Sequence, residues 1–173
     1  MLLSAKAIVY GDDINTDLII AGKYTKTLDI GALSSHCMED LDPDFHQKCE
    51  GGAIVVAGKY FGCGSSREHA PIAIKESGVA CVIAKSFARI HKQNLINNGI
   101  IPLVFANGDD ISKLHTGDDL SFVHLPASIQ SRTVMVHNDT TGEDITLHIE
   151  LGDRQERLLL AGGLLESIKN SAR

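Results

Sequence analysis

The residues best suited to chemistry lie in a short segment, positions 62–70, that reads Gly-Cys-Gly-Ser-Ser-Arg-Glu-His-Ala. Two hydroxyls, a guanidinium, a carboxylate and an imidazole follow one another there without a gap. Gly62 and Gly64 let the backbone approach a ligand closely, and Arg67 offers two parallel donors to a carboxylate. A helix that starts within the segment would add free N–H groups, which favour an anion. The segment therefore predicts a carboxylate-binding turn.

Ser65 or Ser66 could also act as a base at this turn. A serine hydroxyl gives up its proton only where its alkoxide is stabilised, and free amides with a nearby cation can do that. Ser65 and Glu68 also match the capping box Ser-x-x-Glu; in that case Ser65 only caps a helix, and the chain is a non-catalytic carboxylate-binding module. A serine hydrolase fits less well, because the G-x-S-x-G elbow is absent. The residues alone therefore allow two roles at this point: Ser65 or Ser66 removes a proton, or Ser65 only caps a helix.

The surrounding pattern predicts the elements that hold this turn. Residues 53–57 form a short apolar run between glycines, which is typical of a buried strand, and residues 70–76 continue as a helix. Such an alternation forms parallel sheet with right-handed crossovers, and ligands bind at the carboxyl ends of its strands. The alternation continues with a strand over 79–84, a helix opened by Ser86 that stops at 97–99, and a strand over 100–105.

The regions on either side of this core add further elements. Before the core, the predicted elements are a strand over 6–10, a short strand over 18–20 and a helix over 30–38. After residue 108 the pattern favours antiparallel pairing, with short strands around 120–123, 133–136 and 145–149 and a hairpin loop at 138–142. The tail over 152–169 predicts helical pieces broken at the pair Gly162 and Gly163.

Composition narrows the class of protein. The chain has 173 residues, 43% of them hydrophobic, which suits one packed domain over residues 1–173. A net charge of -6 without a basic run argues against nucleic acid as a partner. Neither a leader nor a membrane-spanning run is apparent, so we expect a cytoplasmic protein. The four cysteines form no C-x-x-C pair, so we expect free thiols and no metal site on this chain.

Four motifs together point to a known family; they are residues 64–70, residues 84–90 with Asn94, residues 99–103 and residues 11–17. The set resembles the swivelling C-terminal domain of the aconitase superfamily. Over most of residues 5–168 the chain is similar to the isopropylmalate branch, where the domain is a separate small chain. The resemblance implies an α/β fold, a swivelling β/β/α domain of the aconitase C-terminal type with a parallel strand-helix core and additional antiparallel strands.

The resemblance also implies an activity that needs two chains. This chain would be the small subunit of a hydro-lyase that isomerises 2-isopropylmalate and 3-isopropylmalate in leucine biosynthesis, by dehydration to an alkene diacid and rehydration. A large subunit would hold a four-iron four-sulfur cluster, whose open iron polarises the leaving hydroxyl as a Lewis acid. Small subunits of homoaconitase or 2,3-dimethylmalate dehydratase are the alternatives, whereas citrate is disfavoured because no arginine stands at 9–11. In isolation we expect a weak homo-oligomer.

Residue roles follow from the same resemblance. Ser65 would be the base that removes the proton next to a carboxylate, and Ser66 and Arg67 would bind that carboxylate. Four neighbours would support the turn: Gly62, Gly64, Glu68 and His69.

Two other groups of residues receive roles as well. A loop that selects the substrate side chain would carry Tyr24, Lys26 and Thr27, with Lys26 where the branch often has arginine, whose planar fork lysine lacks. Turn chemistry and subunit contact explain the acidic loop over 11–17 better than calcium binding, because Asp12, Asp13 and Asp17 lack the spacing of a calcium site. Arg89 and His91 face either the active site or solvent.

Overall fold

The computed structural model describes residues 3–27 and 29–171, and the strands in these ranges pair into one closed sheet. In chain order they are β1 (Leu3–Val9), β2 (Ala53–Ala57), β3 (Val79–Ala84), β4 (Ile101–Phe105), β5 (Asp119–Phe122), β6 (Thr133–Asn138) and β7 (Glu143–His148). Around the sheet the order is β1-β2-β3-β4-β7-β6-β5. Antiparallel pairing of β1 with β5 closes it, which leaves no unpaired edge.

The helices in the same ranges are short. They are α1 (Thr16–Ile19), α2 (Ile30–Ser35), α3 (Phe45–Lys48), α4 (His69–Glu76), α5 (Arg89–Asn97), α6 (Leu125–Ser131), α7 (Asp153–Leu160) and α8 (Leu164–Ser171), with 3-10 turns at Gly22–Tyr24 and Gly108–Lys113. Across the part of the chain that is described, no helix is both long and apolar enough to cross a membrane.

The first four strands around the sheet run parallel. β2 is apolar and buried at every position, which is typical of a parallel strand covered on both faces. Ile54 and Val56 pack in a core to which all the strands contribute, whereas Val55 packs in a second core against α1–α4. The predicted alternation over residues 53–105 is confirmed as β2-α4-β3-α5-β4.

The remaining strands are antiparallel, as predicted. β6 and β7 form a hairpin whose register runs from Thr133 opposite His148 to Asn138 opposite Glu143. Buried and exposed residues alternate along β6, with Val134 buried and Met135 exposed. The sequence did not predict that β5 and β7 also pair with β1 and β4, because those contacts join residues far apart in the chain.

The predicted strand over 18–20 is wrong. These residues belong to the single turn of α1 and its C-terminal cap. The Asn15 side chain accepts a hydrogen bond from the Leu18 N–H at 2.9 Å and so caps the turn. Ile19 and Ile20 are both buried, so the apolar run reflects burial of a helical turn and not an extended strand.

The helix predicted over residues 70–76 is confirmed as α4, but the capping box considered at Ser65 is not part of it. α4 begins at His69, and its N-cap residue Glu68 makes no side-chain cap, so Ser65 caps no helix and the capping box does not form. Pro71 explains this start. A helix beginning at position 66 would need an N–H at position 71 that proline lacks, whereas the third helical position needs none.

Two other helix boundaries differ from the prediction. α5 begins at Arg89, because Ser86 holds the Tyr60 backbone instead of opening the helix: the Tyr60 N–H donates to Ser86 Oγ at 2.8 Å. α2 ends at Ser35 and not at residue 38, since Met38 turns into a left-handed conformation with φ +60°. The helical pieces of the tail are confirmed as α7 and α8 on either side of the glycine pair.

Candidate active site

The serine turn, which we define as residues 62–67, is hydrogen-bonded to the acidic loop. The Gly62 N–H donates to the Ile14 carbonyl at 2.8 Å, and the Thr16 N–H donates to the Cys63 carbonyl at 2.9 Å. Turn and loop therefore fix each other. Both lie beyond the carboxyl end of β2, where the sequence placed a ligand site.

Ser65 faces Thr16, a residue that the sequence did not single out. Thr16 Oγ1 donates to the Ser65 carbonyl at 2.9 Å and lies 3.4 Å from Ser65 Oγ. Thr16 is buried and Ser65 is exposed. The Ser65 hydroxyl thus has a fixed neighbour on one side and remains open on the other, as a base that meets a ligand must be.

Arg67 is held between the acidic loop and the segment before Tyr24. Its Nη1 lies 2.7 Å from Asp17 Oδ1. This ion pair lacks hydrogen-bond alignment, because Nη1 is buried without a hydrogen-bond partner in the described residues. A Cβ at Gly22 would lie 3.2 Å from the same Nη1. The guanidinium is therefore oriented but keeps donors for a carboxylate.

The serine turn and the start of α5 enclose a cavity of about 220 Å³. α5 has no side-chain cap, so its first amides lack an acceptor within the helix and favour an anion. Two arginines add positive charge, which suits a ligand that carries two carboxylates. The polar side chains that line the cavity are Thr16, Ser65, Ser66, Arg67, Arg89, His91 and Asn94.

Among the residues predicted for the site, those of the serine turn and α5 come together. Gly62 and Gly64 line the cavity with φ of +80° and +92°, a left-handed conformation that glycine adopts without strain. Arg89 and His91, which the sequence left open between site and solvent, both line it. Glu68 and His69 do not: they begin α4 outside it.

The predicted selecting loop lies outside the cavity. The Tyr24 ring stacks on His36, with centroids 3.9 Å apart and planes 7° from parallel. The Tyr24 hydroxyl faces Glu39, which raises the pKa of Tyr24, and Glu39 Oε2 also lies 2.6 Å from His36 Nδ1. Lys26 is exposed, and Thr27 Oγ1 accepts a hydrogen bond from the Asp29 N–H at 3.1 Å.

One end of that loop nevertheless reaches the site. Gly22 approaches Arg67 and begins the 3-10 turn that leads to Tyr24. Leu28, at the other end of the segment, lies outside the described residues. The loop is therefore adjacent to Arg67, while the Tyr24 side chain contacts His36 and Glu39, just beyond the end of α2.

Two aspartates of the acidic loop have structural roles, and the third lies at the candidate site. Asp12 Oδ1 accepts a hydrogen bond from the Lys59 N–H at 2.7 Å, and Asp13 has a φ of +56°, which an aspartate tolerates in a turn. Asp17 pairs with Arg67 instead. Turn chemistry therefore explains Asp12 and Asp13, and Asp17 positions the guanidinium.

The thiols offer little nucleophilic or metal-binding character. All four cysteines are free, as predicted. Burial raises the pKa of Cys37 and of Cys49 to about 12 each and also raises that of Cys81. Burial raises the pKa of Cys63, within the serine turn, as well, so its thiol stays protonated at neutral pH. In residues 3–27 and 29–171, no group of three or more His, Cys, Asp or Glu is arranged to hold a metal ion.

Comparison with known proteins defines the class. The family model described as the aconitase C-terminal domain matches residues 10–108, and the chain belongs to this family. Its relatives are 3-isopropylmalate dehydratase small subunits. The chain is 46% identical over 168 residues to small subunit 1 of Methanopyrus kandleri, covering 97% of this chain and 93% of that protein. It is 44% identical over 169 residues to the small subunit of Caldicellulosiruptor bescii, covering 98% and 96%.

A solved structure agrees with both fold and family. The crystal structure of 3-isopropylmalate dehydratase from Methanocaldococcus jannaschii matches with a TM-score of 0.86 and 39% identity, covering 99% of this chain and 96% of that one. The resemblance expected from the four motifs is confirmed, and so is the predicted fold class.

Proposed function

We propose that this chain is the small subunit of a 3-isopropylmalate dehydratase, a hydro-lyase that interconverts 2-isopropylmalate and 3-isopropylmalate in leucine biosynthesis. The names of its relatives support the reaction, and the cationic cavity beside Ser65 is the observation that carries the proposal. We take residues 1–173 as one swivelling domain. Four free thiols suit a reducing compartment, the cytoplasm.

Binding of the substrate begins with its carboxylate. Arg67 is oriented by Asp17 and keeps unpaired donors, so its guanidinium can hold a carboxylate in a bidentate pair. The Ser66 hydroxyl lines the same wall of the cavity and donates to the same group. This places the carbon next to the carboxylate within reach of Ser65.

Ser65 then removes the proton from that carbon. The C–H bond breaks, its electron pair forms the new carbon–carbon double bond, and the neighbouring C–O bond breaks, so that the hydroxyl leaves with the bonding pair as hydroxide and takes up a proton from solvent to become water. Ser65 holds the proton from carbon and returns it to the carbon that lost the hydroxyl, while a water that gives a proton back to solvent adds as hydroxide to the other carbon. The guanidinium and the uncapped start of α5 stabilise both the Ser65 alkoxide and the charge that builds beside the carboxylate.

A large subunit completes the site. The described residues do not fit a cluster of their own, so we assign the four-iron four-sulfur cluster to the large subunit, where it supplies the chemistry at the leaving hydroxyl. Tyr60 and Ile90 line the cavity with about half of each side chain exposed. Exposed apolar side chains around a polar site favour coverage by a partner, so we place the large subunit on this face.

The segment with Tyr24, Lys26 and Thr27 selects the substrate side chain. It is adjacent to Arg67 through Gly22 but occupies no part of the cavity in the free chain. The large subunit or the substrate must therefore draw it in. Its composition decides between isopropylmalate and the acids used by homoaconitase or 2,3-dimethylmalate dehydratase.

Reconstitution tests the proposal. The chain is mixed anaerobically with its cluster-loaded large subunit, and alkene formation is followed by ultraviolet absorbance with 2-isopropylmalate, homocitrate, 2,3-dimethylmalate and citrate in turn. We expect turnover that prefers 2-isopropylmalate and none from either subunit alone. Preference for another acid would reassign the pathway. A stable complex without turnover on any of the four would support the non-catalytic module.

A further inference from the structure

His91 is a buried polar side chain for which the described part of the chain provides no hydrogen-bond partner. It is the third residue of α5 and lines the cavity, yet only 3% of it is exposed. Neither Nδ1 nor Nε2 has a hydrogen-bond partner in the described residues. An unpaired buried donor or acceptor destabilises the folded chain, so a residue chosen only for packing would be apolar here.

The neighbours of His91 explain why an aromatic ring fits at this position, but they do not explain why the ring carries two nitrogens. Its ring meets the Phe61 ring edge-on, with centroids 5.4 Å apart, and a side chain at Gly62 would overlap the imidazole. A phenylalanine ring would fill this space equally well. The two nitrogens therefore need an explanation outside the packing of the free chain.

The ionisation of His91 agrees with a role as a donor to an anion. Burial lowers its pKa to about 4, so the imidazole is neutral at neutral pH and carries one N–H donor and one acceptor nitrogen. The cavity is lined by Arg67 and Arg89 and by the start of α5, which attract a carboxylate and disfavour a further cation. A neutral imidazole N–H adds a hydrogen bond to the carboxylate without the repulsion that a protonated His91 would experience from the two arginines.

We propose that His91 contacts the bound hydroxy acid, donating its ring N–H to a carboxylate oxygen of the ligand that lies between Arg67 and the start of α5. This rests on the proposed function, because it takes the ligand to be a hydroxy acid. The serine turn covers the ring in the free chain, so ligand contact requires a small shift of residues 62–64. Gly62 and Gly64 provide that freedom.

The test compares shape with hydrogen bonding in the reconstituted enzyme. His91→Phe keeps the ring and removes both nitrogens, and His91→Gln keeps an amide donor. Leu95→Met, a buried change on the same helix in the packed core, is the matched control. The readouts are KM and kcat for 2-isopropylmalate, the melting temperature of the small chain, and the rise in melting temperature of the complex with 2-isopropylmalate.

We expect His91→Phe to raise KM roughly 10- to 100-fold, which corresponds to the loss of one hydrogen bond to a charged group. Its melting temperature should equal or exceed that of the wild type, because two unpaired polar atoms are gone. His91→Gln should keep KM within a few-fold of the wild type, and Leu95→Met should leave KM and kcat unchanged.

The results that would contradict the His91 contact differ from those that would contradict the proposed function. Wild-type turnover with an unchanged KM and an unchanged ligand-induced rise in His91→Phe would overturn the contact and leave the proposed function standing. An inactive wild-type complex would overturn the proposed function. If His91→Phe does not fold, His91→Leu and His91→Gln replace it as the pair, and equal KM values for these two would reject the contact.

Discussion

Two segments meet at Arg67, and they are held in different ways. The serine turn is fixed by backbone hydrogen bonds to the acidic loop and by the ion pair between Asp17 and Arg67. The Tyr24 segment has backbone hydrogen bonds within its own turn, and side chains attach it to its surroundings through the stack on His36 and the contact with Glu39. Under the proposed function, the chemistry therefore lies on backbone that is held by hydrogen bonds, and substrate choice lies on a segment that side-chain exchanges can release.

The largest expected effect follows from removing the Ser65 hydroxyl, which lies in the fixed serine turn. Ser65→Ala should lower kcat by about 10²- to 10⁴-fold, the usual contribution of a general base, while KM for 2-isopropylmalate changes little. Steady-state kinetics of the reconstituted enzyme measure this. Ser112→Ala, an exposed serine in the Gly108–Lys113 turn, is the control. An equal loss in both variants, or none in Ser65→Ala, would remove Ser65 from the mechanism.

The pH dependence of stability distinguishes the two segments, because His91, which packs against the serine turn, is the one buried histidine among the described residues. The unfolded His91 takes up a proton below about pH 6.5 and the folded one only below about pH 4. Protonation therefore favours the unfolded chain, so stability is intact above pH 6.5 and falls as pH drops towards 4, by roughly 3 kcal/mol at most. Urea titrations from pH 4 to pH 7 measure the slope.

The matched variant for this slope is His91→Phe, which has no group to protonate at that position. Its unfolding free energy should decline less than that of the wild type over the same range. Parallel slopes for the two proteins would show that other groups, and not His91, cause the acid sensitivity.

A smaller effect is expected at the arginine that both segments share. Arg67→Lys keeps the charge and the attraction to Asp17 but loses the planar fork. We expect KM to rise about tenfold, the worth of one hydrogen bond to a charged group, with kcat reduced less. If kcat fell and KM held, Arg67 would act on the transition state alone.

The smallest effect is expected on the side-chain-held segment. Tyr24→Phe keeps the stack on His36 and removes the hydroxyl that faces Glu39. The ratio of kcat/KM values for 2-isopropylmalate and 2,3-dimethylmalate should change by a few-fold, with kcat for the preferred acid nearly unchanged. Competition assays with both acids present measure the ratio. An unchanged ratio together with a large fall in kcat would place Tyr24 in the chemistry instead.

Local pattern predicted most of the fold, because short apolar runs that follow a glycine mark β2, β3 and β4 directly. Residues 18–20 were misassigned because a buried apolar turn and a short strand look alike, although Asn15 followed by Asp17 is a helix-start signal. Pro71 carried the information that α4 starts after the serine turn. Closure of the sheet was beyond local pattern, since β1 and β5 meet across more than a hundred residues.

The residues of the candidate site also separate into those that the sequence predicted and those that it did not. Ser65, Ser66 and Arg67 are adjacent in sequence and were predicted together. Thr16 and Asn94 belong to motifs that carry the family resemblance, but they reach the cavity through the packing of α1 and α5 against the turn, which local pattern does not show. The absence of Tyr24 from the cavity depends on His36 and Glu39, which sequence alone does not place beside it.

The most direct test of this division is the ratio of kcat/KM for 2-isopropylmalate to that for 2,3-dimethylmalate, measured in the reconstituted wild type, in Ser65→Ala and in Lys26→Ala. We expect that Ser65→Ala lowers both values by the same factor and preserves the ratio, whereas Lys26→Ala changes the ratio and leaves the larger value nearly intact. A ratio that changes in Ser65→Ala and stays constant in Lys26→Ala would contradict the assignment of chemistry to the serine turn and of selection to the Tyr24 segment.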